Sequence, residues 1–256
     1  MSKRNGKKPA ILETSPATWK WPRIAVFVPL LPALPYADEV LPYFIEIART
    51  GVRFVYHTFG SIDSVRNRVA EGILMDDTFT HVLFLDADQK HPIDIVPKLA
   101  RWVIEKPERL IVGGLYYNRR PPYLPLAWVK GEDGIYYQAH KWEKGLIEGM
   151  DLIAAGCMLV NKKVFEMVER PWFYHSYEGV QEKKGDFVYP TEDIGFCTKV
   201  RQAGIEICID TTINSPHAAS SWVTEQTYRT YCAMHESEEK EQEIIDYEQF
   251  KELAPA

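Results

Sequence analysis

Between Arg23 and Gly113 the chain switches four times between a short apolar run and a helical period. Arg23–Val28 is apolar and β-branched, as a strand buried on both faces must be. Pro29, Pro32 and Pro35 follow it and demand a loop. Val40–Arg49 carries apolar residues at helical spacing and stops at Gly51. Val52–Tyr56 is a second strand, and Ile62–Met75 a helix with Ser61 at its N-cap position. His81–Leu85 is a third buried strand, Ile93–Ile104 a helix, and Leu110–Gly113 a fourth strand. Such alternation predicts an α/β fold whose mostly parallel central sheet has helices on both faces. Ligands of such sheets sit outside the carboxyl ends of the strands. The loops after Val28, Tyr56, Leu85 and Gly113 are therefore the places to search.

The rest of the chain is less regular. Residues 1–20, rich in Lys, Pro, Ser and Thr, read as a flexible basic arm. Residues 116–150 carry many Tyr, Trp, Pro and Gly, which predicts short antiparallel strands near Leu126–Val129 and Ile135–Gln138. Leu152–Val160 is apolar, Lys162–Val168 a short helix, and Glu192–Ala203 a helix stopped by Gly204. Ile205–Ile209 is a further strand, and Trp222 to about Phe250 reads as one long helix with an acidic, solvated end. The expected organisation is the arm at 1–20, a catalytic unit at 21–222, and a C-terminal helix and acidic tail at 223–256.

Three groups of residues can do chemistry. Phe84-Leu-Asp86-Ala-Asp88 ends a buried strand in two aspartates. In extended chain, residues i and i+2 point the same way, so both carboxylates project together at the sheet edge. Like charges that close repel, and a hard divalent cation such as Mg²⁺ or Mn²⁺ relieves the repulsion. A pair of solvated turn aspartates is the plainer alternative. Glu192 and Asp193 open a predicted helix, where the dipole favours acids and capping alone explains them. A general base or an acceptor of sugar hydroxyls is the functional alternative. His217, in Asn214-Ser-Pro216-His217, follows a strand and a loop, and a neutral imidazole is a common partner for carboxylates around a metal.

The order of these features matters more than any one of them. A DxD at a central strand end, the segment Ala154-Ala155-Gly156, a Glu-Asp helix, then a strand and a His resemble the GT-A glycosyltransferases, specifically the family 2-like nucleotide-sugar transferases. The resemblance spans roughly residues 23–222. It implies a single GT-A-like domain with a small antiparallel acceptor-side region, and a metal-dependent transfer of sugar from a nucleotide-diphosphate donor. It implies Asp88, Asp86 and His217 as the metal site for Mn²⁺ or Mg²⁺, with Asp86 also near the ribose. It implies Asp193 as base of an inverting reaction, with Glu192 second. It implies donor contacts from Pro29 on the nucleobase, Arg66 and Asn67 near base or phosphates, and Ala155 and Gly156 around the sugar. A UDP-sugar is the first choice and a GDP-sugar the second, although Tyr56-His57-Thr58-Phe59-Gly60 lacks the acid that many members place there to read uracil. The hydroxyl acceptor stays open among glycan, lipid carrier, protein, metabolite and modified base.

Arg119 and Arg120, beyond the fourth strand, read either as contacts to phosphate or an acidic acceptor or as a solvated basic loop. Tyr123, Trp128, Tyr136, Tyr137 and Trp142 read as small-sheet packing or as a platform for a sugar or base. No GxGxxG follows a strand and no GxxxxGK[ST] occurs, which argues against dinucleotide and P-loop sites. A sugar-nucleotide nucleotidyltransferase would place a Gly-rich basic loop where the Pro-rich one stands. An inactive glycan- or partner-binding module has no need of Asp86, Asp88, Asp193 and His217 together. The net charge of −6 is not the footprint of a general nucleic-acid binder. No apolar run reaches the roughly 18 residues of a membrane span, and no apolar segment follows the basic start. Cys157, Cys197, Cys208 and Cys232 form no CxxC pair, so reduced thiols and a cytoplasmic setting are expected.

Overall fold

The computed structural model describes residues 21–29, 37–57, 60–139, 142–175, 180–183, 186–188, 191–219 and 221–235. The basic arm, the loop after residue 29 and the acidic tail lie outside these residues. The first strands and helices are β1 (Ile24–Pro29), α1 (Ala37–Ala48), β2 (Arg53–His57) and α2 (Ile62–Met75). β3 (His81–Leu85), α3 (Ile95–Glu105) and β4 (Ile111–Gly114) continue the alternation. The aromatic stretch contains β5 (Ala127–Lys130), β6 (Tyr136–Gln138), β7 (Leu146–Met150) and β8 (Leu152–Ile153). Then come β9 (Cys157–Asn161), α4 (Lys162–Met167), β10 (Val180–Lys183), β11 (Asp186–Val188) and α5 (Glu192–Gln202). β12 (Ile207–Asp210), β13 (His217–Ala218), β14 (Trp222–Val223) and α6 (Glu225–Met234) complete the order.

A seven-stranded sheet runs β2-β1-β3-β9-β4-β12-β7. β1 pairs parallel with β2 and β3, and β12 parallel with β4. β9 is the exception, wedged antiparallel between β3 and β4, and β7 closes the edge antiparallel to β12. A three-stranded antiparallel sheet, β6-β5-β8, is the small antiparallel region expected from the sequence.

Period-two alternation divides the core into two layers. Phe27, Val82, Phe84, Met158 and Ile209 point to one face, against Val65, Val69 and Ile73 of α2, Phe165 of α4 and Phe196 of α5. Val26, Leu83, Leu85, Leu159 and Cys208 point to the other, against Phe44 and Ile47 of α1 and Leu99 and Val103 of α3. Helices thus cover both faces, as the apolar runs required. Among the described residues no helix is long and apolar enough to cross a membrane. All four cysteines are free.

One sequence expectation is corrected. The helix expected from Trp222 begins at Glu225, because Trp222 and Val223 pair in a hairpin with Ala218 and His217. Thr224 then caps the helix, its hydroxyl accepting from the Thr227 amide in a reciprocal capping box. The helix ends at Met234, with His235 as C-cap. The apolar run Leu152–Val160 is two strands in different sheets, broken at Ala154-Ala155-Gly156.

Trp172 is fully buried, and its indole N–H donates to the carbonyls of Phe165 and Val168. It anchors the segment that carries Phe173, whose ring stacks on Phe196 at 4.4 Å. Trp172→Ala should destabilise the protein by about 3–5 kcal/mol in urea unfolding, from cavity formation and two orphaned carbonyls. A loss under about 1 kcal/mol would show that this segment contributes little to the core.

Candidate functional site

The site lies at the carboxyl edge of the sheet, and β9 explains how it is built. Because β9 runs opposite to β3, Cys157 at its start pairs with Leu85 at the end of β3. Ala154–Gly156 are thereby set beside Asp86, whose amide donates to the Gly156 carbonyl at 2.9 Å. The fit at Gly156 is close. A Cβ there would lie 2.4 Å from Gln89 Nε2, 2.5 Å from the Tyr116 hydroxyl and 2.7 Å from Asp86 Oδ2. Only glycine lets these three polar atoms converge.

The Asp86–Asp88 turn is fixed from the other side by the stretch after β12. The Lys90 amide donates to Pro216, the Ala218 amide donates to Asp88, and His217 bridges Gln89. His91 adds a buried clamp. Its Nε2 donates to the Asp86 carbonyl at 3.0 Å, and its Nδ1 accepts from Ser215 Oγ at 3.1 Å. Burial pushes the His91 pKa down to about 4, so the ring is neutral.

His217 is oriented as metal-bound histidines are. Its Nδ1–H donates to the Tyr117 carbonyl at 2.8 Å, which turns Nε2 toward Asp88 Oδ2 at 3.6 Å. Asp88 Oδ2 also accepts from Arg119 Nη1 at 2.9 Å. Burial pushes the Asp88 carboxyl up, but the attraction of His217 and Arg119 outweighs it and leaves the carboxyl below its ordinary value.

Beneath this pair sits a buried charge cluster. Arg66 of α2, 3% exposed, donates to Asp86 Oδ1 at 2.9 Å and to Glu192 Oε1. Its guanidinium carbon also lies 5.8 Å from the centre of the Phe173 ring. Burial pushes the Asp86 and Glu192 carboxyls upward against the pull of Arg66. Asp193 is held at both oxygens. Oδ2 accepts from the Ala155 amide at 3.1 Å, and Oδ1 accepts from the Ile194 amide and the Thr191 hydroxyl.

A cavity of about 500 Å³ opens here, and Arg66, Asp86, Asp88, Glu192, Asp193 and His217 all line it. Residues far apart in sequence are thus gathered in one place. Ala155 and Gly156 support its floor through the bonds above. Asn67 and Pro29 do not line it. The Asn67 amide donates to Asp63 and Phe173 and accepts from the amides of Trp172 and Phe173, so it braces the Trp172 segment against α2. Pro29 ends β1, paired with His57. Of the aromatic residues singled out in the sequence, Trp128 lines the cavity, while Tyr123, Tyr136, Tyr137 and Trp142 pack against the core.

The fit to a cation rests on Asp88 and His217. An oxygen and a nitrogen 3.6 Å apart can both reach one ion with bonds of about 2.1 Å. Asp86 is instead engaged by Arg66 through Oδ1. Among the described residues, three ligand atoms come within 4.8 Å of one another at Glu148, Glu206 and Cys208. That trio is chemically unsuited. Arg109 Nε already donates to Glu148 at 2.7 Å, and burial pushes the Cys208 thiol up to about 12.

Sequence reasoning missed Tyr116, Gln89 and His91. The Tyr116 hydroxyl accepts from the Gly156 amide at 2.8 Å. Gln89 is fully buried with neither amide atom hydrogen-bonded. Proximity to the DxD pair was the one available signal for Gln89 and His91.

No protein-family model matches the sequence, and no curated protein matches it at the level of sequence. Solved structures do resemble it. A197 from STIV is 17% identical, with a TM-score of 0.51 over 77% of this chain and 85% of that one. GalNAc-T7, solved with UDP, GalNAc and Mn²⁺, is 10% identical, with a TM-score of 0.46 over 83% of this chain and 48% of that one. A glycosyltransferase involved in glycosylation of the major capsid of PBCV-1 is 15% identical, with a TM-score of 0.34 over 59% of this chain and 69% of that one. At these identities the likeness is one of fold. The chain has a GT-A-like fold, an α/β architecture with a mostly parallel central sheet.

The two buried histidines predict a pH dependence. Burial lowers both His81 and His91 from 6.5 to about 4. The folded state then binds fewer protons than the unfolded state between pH 4 and 6.5. Their contribution is complete above pH 6.5 and is lost as pH falls toward 4. Urea unfolding across this window should show stability falling by on the order of 1 kcal/mol per pH unit for each histidine. His91→Asn should reduce the slope, and an unchanged slope would contradict the assignment.

Proposed function

We propose that this protein is a glycosyltransferase that uses a divalent cation to move a sugar from a nucleoside-diphosphate donor to a hydroxyl acceptor. The observation that carries the reading is the Asp88–His217 pair at the end of a central strand, with the imidazole held through Nδ1 so that Nε2 faces the carboxylate. A GT-A-like fold puts this pair where α/β sheets bind ligands.

In this reading Asp88 and His217 hold the Mn²⁺ or Mg²⁺, and Asp86 faces the ribose and the edge of the cation site. A bound divalent ion supplies positive charge where the leaving diphosphate gains negative charge. Asp193 takes the proton of the attacking hydroxyl in an inverting transfer. Its two oxygens are aimed by the Ala155 and Ile194 amides and by Thr191, and Oδ2, with one bond accepted, keeps capacity for one more. Glu192 serves Asp193 indirectly by holding Arg66 in place. Ala155 and Gly156 shape the sugar site from behind, Trp128 and Leu126 form its apolar wall, and Pro29, at the end of β1 outside this cavity, meets the nucleobase only if the base extends beyond it. Arg66 balances the acids under the donor, and Asn67 braces the wall behind it. A UDP-sugar is the leading donor and a GDP-sugar the next. Residues 21–222 form the catalytic unit, and the acceptor is chosen by the aromatic segment and the loop after His217.

Two variants separate binding from chemistry. Asp88→Ala should abolish cation-dependent binding of the nucleoside diphosphate in calorimetry, and unchanged binding would contradict the metal assignment. Asp193→Asn should keep donor affinity while transfer falls by about 10²-fold or more. Transfer that survives in Asp193→Asn places the base elsewhere or makes the reaction retaining.

A further inference from the structure

Arg119 occupies a position that the chemistry above does not use. Its Nη1 donates to Asp88 Oδ2 at 2.9 Å, and that same oxygen faces His217 Nε2 at 3.6 Å. One carboxylate oxygen therefore has both a guanidinium and the ligand atom of a metal-type histidine directed at it. The guanidinium stands in electrostatically for a cation, neutralising the carboxylate at the cavity wall. A divalent ion between Asp88 and His217 would repel it and compete for the same lone pairs.

The segment bearing Arg119 is built to present it. The Asn118 amide donates to the Leu124 carbonyl at 2.9 Å, and the Tyr123 amide donates to the Arg120 carbonyl at 2.8 Å. Asn118 Oδ1 accepts from the Arg120 amide at 3.1 Å, closing the turn around Arg119. The Arg119 side chain itself is 54% exposed, so it can swing while its backbone stays put. Asn118 and Arg119 both line the cavity. Once released, the guanidinium stays tethered beside the cation site. A planar fork of donors next to a bound cation suits two oxygens of a phosphate.

We infer that Arg119 is a displaceable arm that closes on Asp88 before the cation arrives and on the diphosphate of the donor afterwards, coupling cation binding to diphosphate binding. This inference rests on the cation-dependent reading of the site. It makes the two steps cooperative by reciprocal linkage, because the cation frees the group that grips the anion.

The test is calorimetric and needs no acceptor. Mn²⁺ alone is titrated into the wild-type chain and into Arg119→Ala, and UDP and GDP are then titrated in the presence of Mn²⁺. Arg119→Ala should bind Mn²⁺ about fivefold more tightly, because its competitor is gone, and bind the preferred diphosphate about tenfold more weakly. Arg120→Ala, which removes an equal charge one residue along, should leave Mn²⁺ affinity unchanged. Mn²⁺ affinity that stays the same or weakens in Arg119→Ala would overturn the competition. Unchanged diphosphate affinity would overturn the second contact. A wild-type chain that binds neither Mn²⁺ nor any diphosphate would overturn the functional reading as well, whereas a wild-type chain that binds both while Arg119→Ala behaves identically would overturn this inference alone.

Discussion

The site depends on one buried cation. Arg66 lies between Asp86 at the end of β3 and Glu192 at the start of α5, and so ties three elements together. Asp86, Glu192 and Asp193 converge on one cavity, and three acids that close would repel and resist desolvation. The guanidinium makes their proximity tolerable, and its delocalised charge and fork of donors suit two carboxylates better than an ammonium would. Removing it would leave buried charge uncompensated, the costly way to break an ion pair. The ring of Phe173 beneath it, and Asn67 and Trp172 around that ring, are its mechanical support.

The antiparallel strand β9 supplies the second constraint. Running opposite to its neighbours, it begins at the edge where β3 ends, and so delivers Gly156 to Asp86. The missing side chain at Gly156 is what lets Tyr116, Gln89 and Asp86 crowd one spot. Asp88 sits on the far side of the same turn, zipped to the His217 segment. Charge compensation at Asp86 and ligand geometry at Asp88 are thus adjacent yet served by different partners.

Local patterning made the alternating half of the fold legible. β3 and α2 have the bounds that their apolar runs and flanking residues imply, because each is decided by a window of a few residues. Asp86 and Asp88 stood out as acids ending an apolar run, Glu192 and Asp193 as acids opening a helix, and His217 as an imidazole in the loop after a strand. What stayed hidden depends on distant contacts. The insertion of β9 between β3 and β4 leaves no local trace. Arg66 finds Glu192 across 126 positions, so its double ion pair could not be read from its helix. Asn67 looked like a ligand residue because a polar side chain on a helix gives no sign of the backbone it braces. Trp222 looked helical until its pairing with Ala218 was seen, and Gln89 and His91 are polar residues buried by tertiary packing alone.

The most direct test of a cation-dependent nucleoside-diphosphate site is the thermal unfolding midpoint of the wild-type chain with UDP, GDP, CDP, TDP and ADP, each with and without Mn²⁺. Ligands that bind the folded state raise the midpoint by mass action, whatever the acceptor. The account predicts a rise with one diphosphate, UDP first, that requires Mn²⁺. No rise with any of them, or an equal rise without the cation, would contradict it.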